Sequence, residues 1–160
     1  MQLRQARRSD LSAVFAIEQA VFGHHIYPDF FFRQALDLWP DWFWLAEDEA
    51  GAPVGYALGA PSQEPDRLWV LSLALLPSCR GRGAGQALMR AVLQAMKPRA
   101  RSVRLTVDPA NPAAGLYRKL GFAEIAREDD YFGPARRGCC WSGNPADMRY
   151  TGAFARLKRR

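Results

Sequence analysis

The run Leu68-Trp69-Val70-Leu71-Ser72-Leu73-Ala74-Leu75-Leu76 constrains this chain more than any other stretch. It is almost unbroken in apolar character and of strand length, the pattern of a central strand buried on both faces of a sheet. Pro77 ends it, and the glycine-rich segment Arg80-Gly81-Arg82-Gly83-Ala84-Gly85 follows. Ala84, Ala87, Leu88, Ala91, Val92 and Ala95 then recur at i, i+3, i+4, i+7, i+8 and i+11, which predicts an amphipathic helix ending near Pro98. A buried strand, a glycine-rich turn and a helix N-terminus together make an anion site. The helix start offers unsatisfied N–H groups and the positive end of its dipole. Glycine lets the backbone approach a phosphate closely, and Arg80 and Arg82 add charge that suits a pyrophosphate. The turn is not a Walker loop, because no Gly-Lys-Ser/Thr follows, and its G-x-G-x-G order is not the dinucleotide fingerprint.

The flanking sequence supplies further elements. Leu3 to Arg7 reads as a short edge strand. Ser9 or Asp10 can cap a helix carrying Leu11, Val14, Ile17 and Val21, which Gly23 ends. Tyr27-Pro28-Asp29 opens a second helix running to about Trp39 and stopped by Pro40. Trp42 to Glu47 and Val54 to Ala60, joined by Ala50-Gly51-Ala52-Pro53, read as a hairpin. Val103, Leu105 and Val107 alternate with Arg104, Thr106 and Asp108 as a strand. Asn111-Pro112 can start a helix that runs to Lys119 and is closed by Gly121. Phe122 to Glu128 and roughly Ala146 to Thr151 are the last two strands. A hairpin mixed with a βαβ crossover predicts an α/β domain: a mixed, twisted sheet of six to seven strands with helices on both faces.

Composition narrows the function classes. The chain has 160 residues, enough for one domain, and 49% are hydrophobic, so a core can form without disulfides or metal. Cys79, Cys139 and Cys140 form no disulfide framework and lack a Cys/His partner pair at zinc spacing, so no metal is expected. Reduced cysteines and the absence of an apolar signal core point to the cytoplasm. No stretch approaches the roughly 20 apolar residues that span a bilayer. The formal charge is +6, and Arg156, Lys158, Arg159 and Arg160 crowd the end as a basic tail. The domain is expected over residues 1–152 and the tail over 153–160. An RNA-binding module is disfavoured, because no aromatic-rich RNA-binding sheet motif accompanies the Arg-Gly turn.

Two motifs carry a resemblance. Arg80, Gly83 and Gly85 resemble the acetyl-coenzyme A signature R/Q-x-x-G-x-G/A of the GNAT superfamily of N-acetyltransferases. Asn111-Pro112-Ala113-Ala114 followed by Leu116-Tyr117-Arg118-Lys119-Leu120-Gly121-Phe122 resembles that family's N-x-A-A…L-Y-x-K-L-G-F. The subgroup most resembled contains the ribosomal-protein N-terminal alanine acetyltransferases, which also carry an aromatic pair like Tyr131-Phe132. The resemblance implies a GNAT fold, acetyl-coenzyme A as co-substrate and direct transfer to a primary amine. It implies that backbone groups of Leu73 and Leu75 pair with the pantetheine arm. N–H groups from Gly81 through Arg82, Gly83 and Ala84 to Gly85 would hold the pyrophosphate, with Arg80 beside them. Asn111 would hydrogen-bond the pantetheine, and Tyr117 would protonate the departing thiolate. A thiol near pKa 8.5 and a phenol near 10 make that transfer feasible within a hydrogen bond.

The chain departs from the pattern at three places. Thr106 stands where the subgroup has a glutamate base, and a threonine cannot take the ammonium proton. Asp108, two residues on and on the same strand face, can take it directly or through water. Glu64 and Asp66 are other candidates, and an α-amine of pKa near 8 is partly neutral without any base. Gly115 interrupts the short helix after Asn111. Gly133 to Gly143, with Arg136, Arg137, Cys139, Cys140 and Trp141, replaces an acidic segment that borders the acceptor site in relatives. The expected acceptor is a protein or peptide N-terminus. The alternatives are a small-molecule amine, or a catalytically weak coenzyme A-binding or ribosome-binding protein. Most of the aromatic stretch Phe30-Phe31-Phe32, Trp39, Trp42-Phe43-Trp44 is expected in the core, and His24 and His25 in a loop.

Overall fold

The computed structural model describes residues 1–147. Its elements run β1 (Gln2–Gln5), α1 (Leu11–Phe22), α2 (Asp29–Leu38), β2 (Phe43–Glu47), β3 (Pro53–Pro61), β4 (Arg67–Leu75), α3 (Ala84–Met96), β5 (Ser102–Val107), α4 (Ala114–Lys119), β6 (Ala123–Glu128) and β7 (Gly138–Gly143). One seven-stranded sheet has the order β1-β2-β3-β4-β5-β7-β6. Only β4 and β5 pair in parallel among these strands, joined by the crossover through α3, and all other neighbours are antiparallel. This is the mixed α/β architecture the sequence predicts.

Alternation sends side chains to two cores. Phe43, Leu45, Tyr56 and Leu58 pack with Val14 and Ile17 of α1 and Phe32 and Ala35 of α2. Ala46 and Ala57, offset by one residue, pack on the other face with Leu88, Val92 and Met96 of α3 and Tyr117 of α4. Each of the fully buried leucines contributes about 1.5–3 kcal/mol. Asp10 does not cap α1: its carboxylate instead accepts Arg4 Nη1 at 2.7 Å and the Arg7 N–H at 2.7 Å, tying the helix entry to β1.

β4 is central but is not buried evenly on both faces, as the apolar run suggests. Its residues alternate between buried and half-buried. The register slips between Leu58↔Ser72 and Gly59↔Val70, so Leu71 is an extra residue, a β-bulge. Before the bulge, Leu68 and Val70 face α3; after it, Ala74 faces α1 and α2. Pairing with β5 also stops there, the last partners being Val70↔Leu105.

The expected final strand at 146–151 needs correction. Ala146 and Asp147 lie in a turn, and residues 148–151 fall outside the described residues, as does the basic tail. The strand that fills the sheet is β7, within the segment expected to intervene. Gly138, Cys139, Trp141 and Gly143 are buried between β5 and β6, and the turn that follows carries Pro145, which cannot donate to a ladder.

Candidate active site

Beyond Val70↔Leu105 the two parallel strands part, and a cavity of about 550 Å³ opens at the gap. Its walls are Leu71, Ser72 and Leu73 of β4, Thr106, Val107 and Asp108 at the end of β5, and Asn111 and Tyr117 beyond it. The loop between α1 and α2 closes one side with His24, His25 and Tyr27, and the loop between β6 and β7 contributes Phe132 and Arg136.

The backbone of β4 faces this gap in a defined phase. The Leu76 N–H donates to Val54 O at 2.9 Å, so residues of even number after the bulge turn their polar backbone toward β3. Alternation then turns Leu73 and Leu75 toward the opening, where β5 no longer answers them. The Arg80 Nε donates to Leu75 O at 3.3 Å and holds the next turn against the strand end.

That turn is shaped by glycine. Gly81 has φ +76° and Gly83 φ +80°, left-handed values that side chains rarely adopt. Gly83 is the N-cap of α3, and its carbonyl accepts the Ala87 N–H at 2.9 Å. The N–H groups of Ala84, Gly85 and Gln86 therefore start the helix without intrahelical acceptors. Arg80, Gly81, Arg82 and Gly83 are exposed, and Ala84 is buried against the core. This turn and Leu75 lie outside the cavity lining, whereas Leu73, Asp108, Asn111 and Tyr117 lie in it. The free backbone of Leu73 and the Leu75 N–H, the left-handed glycines and the helix start fit an extended arm ending in a pyrophosphate.

Asn111 and Asp108 both serve the backbone here. Asn111 Oδ1 accepts the Ala113 N–H at 2.9 Å, so α4 begins later, at Ala114. Asp108 Oδ1 accepts the Ala110 N–H at 2.8 Å, and Asp108 O the Asn111 N–H at 2.9 Å. Tyr117 is buried, with its ring edge-on to Phe122 at 6.1 Å and tilted against Trp141 at 6.4 Å. Its hydroxyl has no hydrogen-bond partner among the described residues, and burial pushes its pKa up to about 12. The Thr106 Oγ1 on β5, in the lining of the same cavity, is buried and likewise unbonded. Glu64 and Asp66 lie at the other end of the sheet, before β4 begins, and neither lines the cavity.

The "Acetyltransferase (GNAT) family" model matches residues 8–122. The chain belongs to this family. An N-alpha-acetyltransferase of Sulfurisphaera tokodaii is 34% identical over 137 residues, covering 78% of this chain and 81% of the relative. Among solved structures, Ard1 from Thermoplasma volcanium superposes with a TM-score of 0.82 at 25% identity, covering 89% of this chain and 96% of that one. The ribosomal-protein-S18-alanine N-acetyltransferase from Escherichia coli shares the fold, with a TM-score of 0.76, 19% identity and coverage of 96% and 99%. This GNAT protein is an N-acetyltransferase that takes its acetyl group from acetyl-coenzyme A. No helix among the described residues is long and apolar enough to cross a membrane.

The sequence reading missed several cavity residues. Of the aromatics that line it, Tyr117 is expected there but Phe22 and Tyr27 are not; in the Phe30–Trp44 stretch Phe32, Trp42 and Phe43 are core, as expected, and Phe30 is exposed. Glu18, Tyr56 and Ser72 form a buried polar group: Glu18 Oε1 accepts the Tyr27 N–H at 3.1 Å, Oε2 accepts the Tyr56 hydroxyl, and Tyr56 Oη meets Ser72 Oγ at 2.8 Å. A signal was present for two of these. Glu18 sits on the apolar face of α1, four residues after Val14, and Ser72 is the polar residue inside the apolar run of β4.

Proposed function

We propose that this enzyme acetylates the free α-amine at the N-terminus of a protein or peptide, by direct transfer within a ternary complex. The observation that carries the reading is the cavity at the parted end of β4 and β5. It adjoins the free backbone of Leu73 and lies between two loops, so an extended chain end can enter between His25 and Arg136 while the acetyl donor lies along β4. The name of the Sulfurisphaera tokodaii relative supports the α-amine as acceptor.

In this reading Leu73 and Leu75 hydrogen-bond the pantetheine arm in the manner of an added strand. The N–H groups of Gly81, Arg82, Gly83, Ala84 and Gly85 hold the pyrophosphate, and Arg80 and Arg82 balance its charge. Asn111 uses its amide N–H for the arm, since its Oδ1 is engaged with Ala113. Tyr117 points its unbonded hydroxyl at the sulfur and meets the negative charge that builds there as the C–S bond breaks. Burial that raises the phenol to about 12 raises a thiol in the same cavity too, because both become anions on losing a proton. The phenol therefore arrives protonated and donates to sulfur at modest cost. The amine's proton goes to a carboxylate at the cavity, where Asp108 and Glu18 are the two that line it.

We assign residues 1–152 to the acetyltransferase domain and 153–160 to a basic tail. Unpaired Cys79, Cys139 and Cys140 support a cytoplasmic setting. The test is thiol release from acetyl-coenzyme A with peptides of differing N-terminal residue, polyamines and free amino acids. Peptides with a free N-terminus should be acetylated fastest, and their N-acetylated forms should be inert. Faster turnover of polyamines or amino acids would overturn the acceptor.

A further inference from the structure

We propose that Ser72, Tyr56 and Glu18 form a proton relay that takes the first proton from the acceptor ammonium. This rests on the acetyltransferase reading above and names the missing base within it.

The hydrogen bonds set the direction. A hydroxyl has one proton, and Tyr56 commits its proton to Glu18 Oε2. Ser72 must then be the donor in its 2.8 Å bond to Tyr56 Oη. The acceptor sites of Ser72 Oγ remain, and Ser72 lines the cavity. An ammonium N–H that donates to Ser72 Oγ completes a chain with every donor matched to an acceptor. The proton passes to Ser72 Oγ, the Ser72 proton to Tyr56 Oη and the Tyr56 proton to Glu18 Oε2. The freed lone pair forms the N–C bond to the acetyl carbon as the C–S bond breaks. The nitrogen's second proton goes to the leaving sulfur by way of Tyr117, and Glu18 returns its proton to solvent through the cavity.

Placement supports the same division. Tyr56 belongs to the core beneath α1 and α2, whereas Tyr117 belongs to the core beneath α3 and α4. The relay and the phenol thus approach the gap from opposite faces of the sheet, as an entering amine and a leaving thiol require. Thr106 has no basic group, and Asp108 already spends Oδ1 on the Ala110 N–H. Burial raises the Glu18 pKa above the usual carboxylate range, against the hydrogen bonds from Tyr56 and Tyr27 that lower it. The titratable and charged groups around it are Tyr56 on β3, Tyr27, His24 and His25 in the α1–α2 loop, and Asp108, Tyr117 and Arg136 across the cavity.

The experiment measures kcat against pH, with acetyl-coenzyme A affinity by calorimetry, for wild type, Ser72→Ala, Tyr56→Phe, Glu18→Gln and Ser72→Ala/Glu18→Gln, using a peptide with N-terminal alanine. Ser72→Ala removes the link that lines the cavity and leaves the Glu18–Tyr27 bond in place, so it carries the test even if Glu18→Gln folds poorly. The relay predicts a loss of about tenfold or more in kcat at pH 7 for each link, and no further loss in the double variant. The deficit should shrink above about pH 8, where the amine is neutral without help. Unchanged kcat in Ser72→Ala, or a deficit that stays constant with pH, would overturn the relay while leaving the enzyme an acetyltransferase. Wild-type protein that acetylates no peptide or amine would overturn both.

Discussion

The two halves of β4 share a sequence character and differ in what they leave unpaired. From Leu68 to Val70 the strand has β3 on one side and β5 on the other. After the bulge at Leu71 it keeps β3 and loses β5. The first half is ordinary central sheet, with Leu68 and Val70 pressed against α3. The second half exposes a row of backbone donors and acceptors to a cavity. One extra residue and a diverging neighbour turn a structural strand into a binding edge. The comparison teaches that changes near the parted end should alter binding and turnover, while those at the paired end should alter neither.

The largest effect is expected at the turn that continues the parted half. Gly83→Glu should raise the Kd for acetyl-coenzyme A by at least about 10²-fold. Apart from its chain neighbours, no atom of the described residues lies within 4 Å of a Cβ added there, so the loss would not come from an internal clash. It comes from a negative charge at the anion's place, with added strain from a side chain at φ +80°. Gly83→Ala separates the two, since it imposes the strain, about 1–2 kcal/mol, without the charge. Calorimetry on both folded variants decides. If Gly83→Glu binds as well as Gly83→Ala, the pyrophosphate does not sit at this turn.

Next in size is Tyr117→Phe, which should lower kcat by roughly 10²-fold while acetyl-coenzyme A affinity stays within a few-fold. The ring packs against Phe122 and Trp141, and the hydroxyl bonds to none of the described residues, so removing oxygen alone leaves the packing intact. Wild-type turnover in this variant would mean that the sulfur takes its proton from elsewhere.

Much of this arrangement was legible in the sequence. Element order and sheet class followed from period and punctuation, and the glycine turn followed from its place between an apolar run and an amphipathic helix. Gly81 and Gly83 indeed take left-handed φ, and Asn111, Tyr117, Asp108 and Leu73 come together at one cavity. The bulge at Leu71 was not legible, because an unbroken apolar run hides the phase of its alternation. β7 was missed because it is a short run of four residues, Cys139 to Ser142, set between two glycines, and its pairing with β5 and β6 is what makes it a strand. The Glu18–Tyr56–Ser72 group joins residues distant in the chain, and nothing local announces that they meet.

A smaller effect is expected at Asp108, at the rim of the cavity. Asp108→Asn keeps an oxygen for the Ala110 N–H, so stability should change by less than about 1 kcal/mol. With Glu18 accepting the proton, kcat should fall only about two- to threefold, by the same amount at every pH. A deficit that grows at acid pH and vanishes at alkaline pH would instead make Asp108 the proton acceptor.

The smallest effect is expected at the paired end, from Glu64→Gln and Asp66→Asn. Both carboxylates sit just before β4, on the side where β4 and β5 are still in register at Arg67↔Ser102. Glu64 is exposed and pairs with Arg67, and Asp66 lies 3.9 Å from an exposed Arg101. Surface pairs of this kind contribute about 0–1 kcal/mol. The contacts that close this end run through the backbone instead: Asp66 O accepts the Arg101 N–H at 2.8 Å and the Ser102 N–H at 3.2 Å, and asparagine keeps that carbonyl. Each variant should therefore retain kcat/KM within about twofold of wild type across the pH range, and stability within about 0.5 kcal/mol. Steady-state rates at several pH values, with thermal melts alongside, provide the check. A pH-dependent loss of rate with an unchanged melt would mean that the amine is deprotonated at the paired end, and the contrast between the two halves of β4 would then fail.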